Sequence, residues 1–423
     1  MPKKPDNISV FEYERLTTDK ARRKSKQRIS STTYAAFLSY HDAHPDTPFF
    51  KLINEGVQFQ QYVGAIRIGN TTIEVLPKAG KANEDDVGTW KKVLIDMLKT
   101  CHLLQAKQSG QANLRLKSNS ILELYFELFI IEVEGLLRQG LIKKYQRTSG
   151  QQLALTGAIE FQQHLVKNLV HKERFFTRHT IYTKDHLLHS ILFEALIVIK
   201  SSLNYSFLSD RLERTLSIFP KVARVSVNET MFDKIPLSRK HQPYQTAISI
   251  AKLILLNYRP DIKSGRKDLL AIMFDMNMLW EEYVLNIMKK NEADIYKVVG
   301  QSSKYFWETK KVKPDIYLQA KDSEFRSIIL DTKWKLPEKS KPGDNDLKQM
   351  YVYNHYWQCS RSFLVYPSSE SSVNVNGYYR KAWYNKSHGC CMVFLNVLKQ
   401  GSLNKDLAKD ILRFLLEPEE VIQ

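Results

Sequence analysis

Apolar and polar residues alternate along much of the first part of the chain, which is the pattern of half-buried β-strands. In residues 57–78, "VQFQQYVGAIRIGNTTIEVLPK", two such runs are joined by Gly69-Asn70. Because Gly and Asn readily adopt the positive φ angles of a tight turn, this segment predicts a β-hairpin. We predict that residues 7–78 are β-rich and contain one helical insertion.

From about residue 88 to 258 the apolar residues recur at helical spacing instead. Strong helices are predicted in residues 121–141, with an end at Gly140, and in residues 186–205. Between them, residues 150–169 predict a short β-like element that leads into a helix. The most apolar stretch, "AISIAKLILLNY", is too short to span a bilayer and predicts a buried helix.

Several histidines in this helical region raise the question of a metal site. None has an acidic partner at ligand spacing, as in H-E-x-x-H, so surface or capping roles are favoured. The histidines concerned are His164, His171, His179, His186 and His189.

A polar stretch with one glycine, "RPDIKSGRKD" at residues 259–268, marks a predicted boundary. After it we predict a helix at about 269–290, strands around 296–301, 304–309, 312–319 and 326–335, a helix at about 345–357, and strands in 361–367 and 390–397. These elements predict a mixed central sheet flanked by helices.

The predicted fold class is therefore multidomain α/β. We expect a β-rich N-terminal domain at residues 1–95, a mainly helical region at residues 96–260, and an α/β domain with a mixed sheet at residues 261–423.

Charged residues interrupt the end of a buried apolar run in "FRSIILDTKWK". If the run pairs with the preceding one in a hairpin folded about Ser323, Asp315 lies opposite Asp331. Strand alternation then directs Asp331 and Lys333 to one face, and Leu330, Thr332 and Trp334 to the other.

Two carboxylates that face each other destabilise a sheet unless something compensates their charge. A divalent cation such as Mg²⁺ prefers oxygen ligands and can bridge to a substrate phosphate. Lys333 would then orient or help to deprotonate an attacking water, or stabilise charge on the phosphate. The alternative is a purely structural ion pair at a strand end.

Two helices can add side chains to this cluster. In "FDMNMLWEEYVLNIMKK", Glu281 falls at the border of the apolar stripe and Glu282 roughly opposite it. In "DNDLKQMYVYNHYW", Gln349 and Tyr353 are one turn apart and share a face. They would orient the lysine or touch a phosphate, unless they belong to an ordinary amphipathic helix.

The chain holds 63 Lys and Arg against 45 Asp and Glu, a formal net charge of +18. That balance suits either a polyanionic partner, with nucleic acid as the first candidate, or a basic surface that serves solubility. A basic run at residues 19–28 has the same two interpretations, contact with phosphate or a solvated helix or loop. The four cysteines show no zinc spacing and the start lacks the apolar core of a signal peptide, so we expect a cytoplasmic protein.

Six phrases together resemble the McrC family, the nuclease subunit of the McrBC modified-cytosine restriction system, within the PD-(D/E)xK nuclease superfamily. They are "YVGAIRIGNTTIEVLPK", "LTGAIEFQQHLVKNL", "FDMNMLWEEYV", "KPDIYL", "IILDTKWK" and "NDLKQMYVYNHYW". The resemblance covers residues 60–360 and implies a restriction-endonuclease-like domain at the C-terminal end.

The resemblance also implies the roles of individual residues. Asp315, Asp331 and Lys333 match the catalytic trio, Glu281 joins Asp315 and Asp331 as a metal ligand, and Gln349 and Tyr353 support them. The implied cofactor is Mg²⁺ or Mn²⁺. The implied partners are DNA that contains modified cytosine and a McrB-like AAA+ GTPase ring, to which residues 96–260 would dock. The sequence has no G-x-x-x-x-G-K-[ST] loop, so we expect this chain to bind no nucleotide itself.

Three functions remain open from the sequence. The first is a Mg²⁺-dependent DNA endonuclease that works with the GTPase ring and stimulates it. The second is a stand-alone nuclease of the same superfamily. The third is a non-catalytic activator of an AAA+ NTPase ring.

Overall fold

The computed structural model describes most of the chain. The described residues are 6–21, 25–43, 45–69, 71–79, 86–104, 120–203, 207–235, 238–259, 269–292, 295–322, 324–335, 337, 341–368, 374–380 and 388–416. Within these ranges, every helix is too short or too polar to cross a bilayer.

The chain divides into two compact units, residues 1–105 with 273–423, and residues 106–272. The region predicted at 96–260 falls mostly in the second unit, the region at 1–95 falls in the first, and the region at 261–423 falls in the first except for residues 261–272. The division of the chain into three domains stays a prediction.

The first unit begins with a β-rich segment. Its elements are β1 Asp6–Phe11, β2 Arg15–Thr17, α1 Ser31–Ala43, β3 Phe50–Ile53, β4 Gly56–Phe59, β5 Tyr62–Ile68, β6 Thr71–Leu76 and α2 Val87–Thr100. The predicted hairpin is present, because β5 and β6 pair antiparallel up to Ile68 and Thr71. In the turn of this hairpin, Gly69 has a φ of +54°, as its residue type predicts. Asn70 lies outside the described residues.

The second unit is mainly helical. Its elements are α3 Ile121–Gln139, β7 Lys144–Gln152, β8 Ala158–Ile159, α4 Phe161–Asn168, β9 Phe175–Thr183, α5 Leu187–Ser202, α6 Phe207–Ile218, α7 Glu229–Asp233, a 3-10 helix Arg239–Tyr244, α8 Gln245–Leu256 and β10 Tyr258–Arg259, and β11 Leu269–Asp275 continues into the first unit.

The ends of helix α3 follow from its sequence. Ser120 accepts a hydrogen bond from the backbone N–H of Glu123 at its start, and Gly140 ends it with a φ of +88°.

The histidines of this unit fill two kinds of position. His186 caps α5 by accepting the N–H of Leu188, as expected. His189 corrects the expectation, because it is fully buried, with Nδ1 2.6 Å from the Lys184 carbonyl and Nε2 3.0 Å from the Tyr244 hydroxyl. Two internal partners satisfy its ring, so burial costs it little.

The first unit resumes after β11. Its further elements are α9 Met276–Lys290, β12 Tyr296–Gly300, β13 Lys304–Trp307, β14 Lys310–Val312, β15 Ile316–Ala320, β16 Ile328–Thr332, α10 Asp344–Trp357, β17 Arg361–Ser368, β18 Val375–Tyr378, β19 Gly389–Asn396, β20 Leu398–Lys399, β21 Ser402–Leu403 and α11 Leu407–Leu416.

Six of these strands form one mixed sheet in the order β12-β15-β16-β17-β19-β18. The β15/β16 pair is antiparallel, whereas β16, β17 and β19 run parallel. One face packs against α10 through a core that includes Ile329, Leu364 and Met350. Side chains of the other face meet α9, where Trp334 lies 5.2 Å from the ring of Trp280. The multidomain α/β fold class is confirmed.

One predicted helix, at about 269–290, is wrong over roughly its first third. Residues 269–275 form strand β11, and the helix starts at Met276. A short continuous apolar run such as "LLAIMF" fits a buried strand as well as a helix, and periodicity cannot separate them. Asp275 marks the true start, since its carboxylate accepts the backbone N–H groups of Asn277 and Met278.

Candidate functional site

The strand register brings the two candidate aspartates to the same end of the sheet. Ile316 pairs with Leu330 and Leu318 with Ile328, so one further step along the ladder places Asp315 opposite Asp331. This is the predicted register, although the turn residue Ser323 lies outside the described residues. Pro314 ends the previous strand and lets the chain turn into β15.

Asp331 is the buried centre of the cluster, with 1% of its surface exposed. Lys333 Nζ lies 2.6 Å from its Oδ2, so the two residues form an ion pair on one face of the strand. Burial raises the pKa of Asp331, and the charge of Lys333 opposes that rise. A buried carboxylate is costly to ionise, so this site favours positive charge beside Asp331, which Lys333 supplies here.

Asp315 is held at the end of β16 by a threonine. Its Oδ2 accepts hydrogen bonds from the Thr332 backbone N–H at 2.7 Å and from the Thr332 hydroxyl at 2.9 Å. Burial, then the negative charges of Asp331 and Glu281, raise the pKa of Asp315 to about 7. The three carboxylates therefore sense one another electrostatically, as a shared site requires.

Glu281 reaches the cluster from helix α9. Its side chain is partly buried and that of Glu282 is exposed, as the helical pattern predicts. Gln301 donates from Nε2 to Glu281 Oε1 at 2.9 Å, and its backbone N–H donates to the Asp315 carbonyl at 2.9 Å. A single residue thus ties the glutamate to the backbone of Asp315.

Helix α10 supplies a chain of hydrogen bonds to the lysine. Lys333 Nζ donates to Gln349 Oε1 at 3.5 Å, and Gln349 Nε2 donates to the Tyr353 hydroxyl at 2.7 Å. The Tyr353 hydroxyl then donates to the carbonyl of Lys313 at 2.9 Å. Each member of this chain is held by the next, so the ammonium of Lys333 has a defined direction.

The donor set suits a hard divalent ion. Mg²⁺ is usually bound by one or two carboxylates, with waters and substrate phosphates as its other ligands. Asp315 and Asp331 offer two such carboxylates. Besides burial, neighbouring negative charges raise the pKa of each, those of Asp331 and Glu281 for Asp315 and those of Asp346 and Glu281 for Asp331. Among the described residues, no group of three or more His, Cys, Asp or Glu side chains is close enough to hold a metal. The assignment of Asp315, Asp331 and Glu281 as ligands stays a prediction.

Three residues that support the site were not predicted from the sequence. Thr332, Gln301 and Lys313 hold Asp315, Glu281 and Tyr353 through the hydrogen bonds described above. Thr332 is the middle residue of the Asp-x-Lys motif, and the strand pattern assigned it only to the apolar face. Gln301 and the Lys313 carbonyl have no local signature, because their roles depend on where the chain bends before β15.

Comparison with known proteins identifies the family. The sequence model described as McrBC 5-methylcytosine restriction system component matches residues 57–367. The chain belongs to this family. The match includes all six candidate residues, and the resemblance to McrC read from the motifs is confirmed. Among curated proteins, none matches the chain by sequence.

Solved structures of the McrBC system share the fold. A chain in the refined half-complex from the tetradecameric assembly of Thermococcus gammatolerans McrB AAA+ hexamers with bound McrC has a TM-score of 0.68 at 15% identity, over 97% of this chain and 100% of that chain. A chain in the cryo-EM structure of the T. gammatolerans McrBC complex has a TM-score of 0.50 at 15% identity, over 68% of this chain and 88% of that chain.

Proposed function

We propose that this McrBC-family chain is a Mg²⁺-dependent DNA endonuclease, the cutting subunit of a GTP-dependent restriction system directed at modified cytosine. The observation that carries the proposal is the buried Asp331–Lys333 ion pair, with Asp315 and Glu281 close enough to perturb it electrostatically. A structural ion pair at a strand end has no need of two further carboxylates, whose repulsion raises its cost.

The roles of the side chains follow from their surroundings. Asp315 and Asp331, with Glu281, would hold a magnesium ion, which when bound supplies Lewis-acid activation of the phosphate and of water. Burial lowers the pKa of Lys333, but the charge and hydrogen bond of Asp331, together with the charges of Asp315 and Asp346, outweigh burial and the net shift is upward. Lys333 therefore stays protonated, which favours a role in orienting the nucleophile and stabilising negative charge over a role as a base.

The partner is proposed from the family and from one surface of the second unit. The similar solved structures contain McrB AAA+ hexamers with bound McrC, and we propose that this chain likewise binds and stimulates such a GTPase ring. The second unit exposes several large apolar side chains in and around helix α4. They are Leu153, Leu155, Phe161, Leu165, Val166, Leu169 and Val170.

Substitution of the buried aspartate tests the nuclease. Asp331→Asn keeps the shape of the side chain but removes the charge that a cation requires. In complex with the GTPase, we expect cleavage of methylcytosine DNA to fall by at least about a hundredfold while stimulated GTP hydrolysis persists. The matched control is Asp42→Asn at an exposed position of α1.

Three outcomes separate the candidate functions. Undiminished cleavage by Asp331→Asn would overturn the proposed site. Cleavage by the unaltered chain with Mg²⁺, but without GTPase or nucleotide, would favour the stand-alone nuclease. Stimulation of the ring without cleavage of any modified substrate would favour the non-catalytic activator.

A further inference from the structure

A short hairpin next to the candidate site exposes three consecutive aromatic side chains. It consists of strands β13 and β14, residues 304–312, which we call the aromatic hairpin. Tyr305, Phe306 and Trp307 are 65%, 51% and 66% exposed. Soluble proteins seldom leave such a cluster in water without a binding role.

The aromatic hairpin and its next residue are also basic. Residues 304–313 contain four lysines and one glutamate, a net charge of +3. Lys311 lies across from Tyr305 in the ladder, with its ammonium 4.7 Å from the ring centroid, and Lys310 pairs with Trp307. Aromatic rings interleaved with ammonium groups suit a ligand that has both flat apolar faces and negative charge.

The base of the aromatic hairpin is fixed to helix α10. Lys304 Nζ donates to the Tyr356 carbonyl at 2.6 Å and lies 5.0 Å from the centroid of the Trp357 ring. Val312 packs against the core cluster below α10. The tip turns at Glu308, with a φ of +40°. A fixed base with a solvated tip presents the aromatic side chains at a defined place.

The residues that flank the aromatic hairpin on each side are hydrogen-bonded to the candidate site. On the incoming side, Gln301 bonds the Asp315 backbone and the Glu281 carboxylate. On the outgoing side, the Lys313 carbonyl accepts the Tyr353 hydroxyl, which belongs to the chain that reaches Lys333. The flanking residues Gln301 and Lys313 therefore connect the aromatic hairpin to the proposed catalytic side chains.

We propose that the aromatic hairpin binds duplex DNA beside the bond that is cut, with Trp307 and Tyr305 against bases and Lys310 and Lys311 against phosphates. This inference rests on the proposed nuclease function and adds a DNA-contacting element to it. Aromatic side chains stack on, or wedge between, bases with little sequence preference.

Two substitutions separate the aromatic from the electrostatic contribution. Trp307→Ala should weaken binding of a fluorescein-labelled duplex to the full chain about tenfold, with an unchanged salt dependence. Lys310→Ala should lower the slope of log affinity against log salt by about one. The matched controls are Tyr378→Ala and Lys405→Ala, at exposed positions of the same unit.

The complex with the GTPase supplies the second readout. Single-turnover cleavage by Trp307→Ala should need about tenfold more DNA to reach half its maximal rate. Unchanged binding and cleavage would overturn the proposal, and so would a loss confined to GTPase stimulation, which would mark the hairpin as a protein-binding surface. Because Asp331→Asn should keep DNA binding but lose cleavage, failure of the proposed nuclease is distinguishable from failure of the hairpin.

Discussion

At the scale of single residues, Lys333 is held by two partners of different kinds. Asp331 balances its charge at 2.6 Å, and Gln349 accepts one of its protons at 3.5 Å. The carboxylate keeps the lysine charged, whereas the amide fixes its direction. Gln349 is fixed in turn by Tyr353. The Tyr353 hydroxyl therefore helps to position the Lys333 ammonium without contacting it.

Loss of the Tyr353 hydroxyl should therefore slow cleavage without loss of folding. Tyr353→Phe removes the acceptor for Gln349 and the donor to Lys313 but keeps the buried ring. We expect the maximal single-turnover rate to fall tenfold to about a hundredfold, the size of effect that misplacement of a reacting group produces. DNA affinity and the melting temperature should change little.

The control for Tyr353 lies on the same helix. Tyr351 is exposed on α10, and Tyr351→Phe should leave the rate unchanged. A fall in DNA affinity or melting temperature that accounts for the whole loss by Tyr353→Phe would show a structural role instead of a positioning one.

At the scale of elements, Trp334 connects strand β16 to the N-terminal part of the same unit. Its Nε1 donates to Glu12 Oε1 at 2.6 Å, and the same oxygen accepts the backbone N–H of Lys78 at 2.8 Å. Trp334 also packs against Trp280 of α9. Strand β16, which carries Asp331, is thus fixed just past its end by the N-terminal segment and by helix α9.

Glu12 should make the stability of the protein depend on pH. Burial raises its pKa from 4.5 to about 7, against hydrogen bonds that lower it. Between these values the folded chain holds a proton that the unfolded chain has released, so stability falls as pH rises from 4.5 to 7 and the loss persists above 7. The upper limit of the effect is about 3 kcal/mol.

Glu12→Gln should make the free energy of unfolding less dependent on pH between 4.5 and 7. The amide stays neutral and its oxygen can still accept from Trp334, so we expect the variant to be more stable than the parent above pH 7. Urea titrations across pH 4.5 to 8 measure the slope. The control is Glu324→Gln at an exposed position. An unchanged slope would show that the Glu12 carboxyl is ionised throughout.

The same elements show what the sequence could predict. Alternation and apolar runs sufficed for the β15–β16 register and for the face that Asp331 and Lys333 share. They failed at β11, where a continuous apolar run has no period. These sequence patterns also could not predict the role of Gln301, because its two hydrogen bonds depend on a left-handed backbone at φ +52° and on tertiary packing.

At the scale of the whole molecule, the two units carry different kinds of exposed feature. The first has the carboxylates, the lysine and the basic aromatic hairpin, which suit DNA in a chain of net charge +18. The second exposes several large apolar side chains in and around α4, which suit a protein partner. Substitutions in the two units should therefore separate cleavage chemistry from activation of the GTPase.

Phe161 and Leu165 are one helical turn apart on α4 and both are exposed. Phe161→Ser with Leu165→Ser should weaken ring binding about a hundredfold, because two apolar anchors are lost from the proposed interface. Stimulated GTP hydrolysis should fall with binding, whereas the affinity of the isolated chain for duplex DNA should stay at the parental value. The control is Met278→Ser, exposed on α9. Normal ring binding by the double variant would place the contact elsewhere, and reduced DNA affinity would assign α4 to the DNA instead.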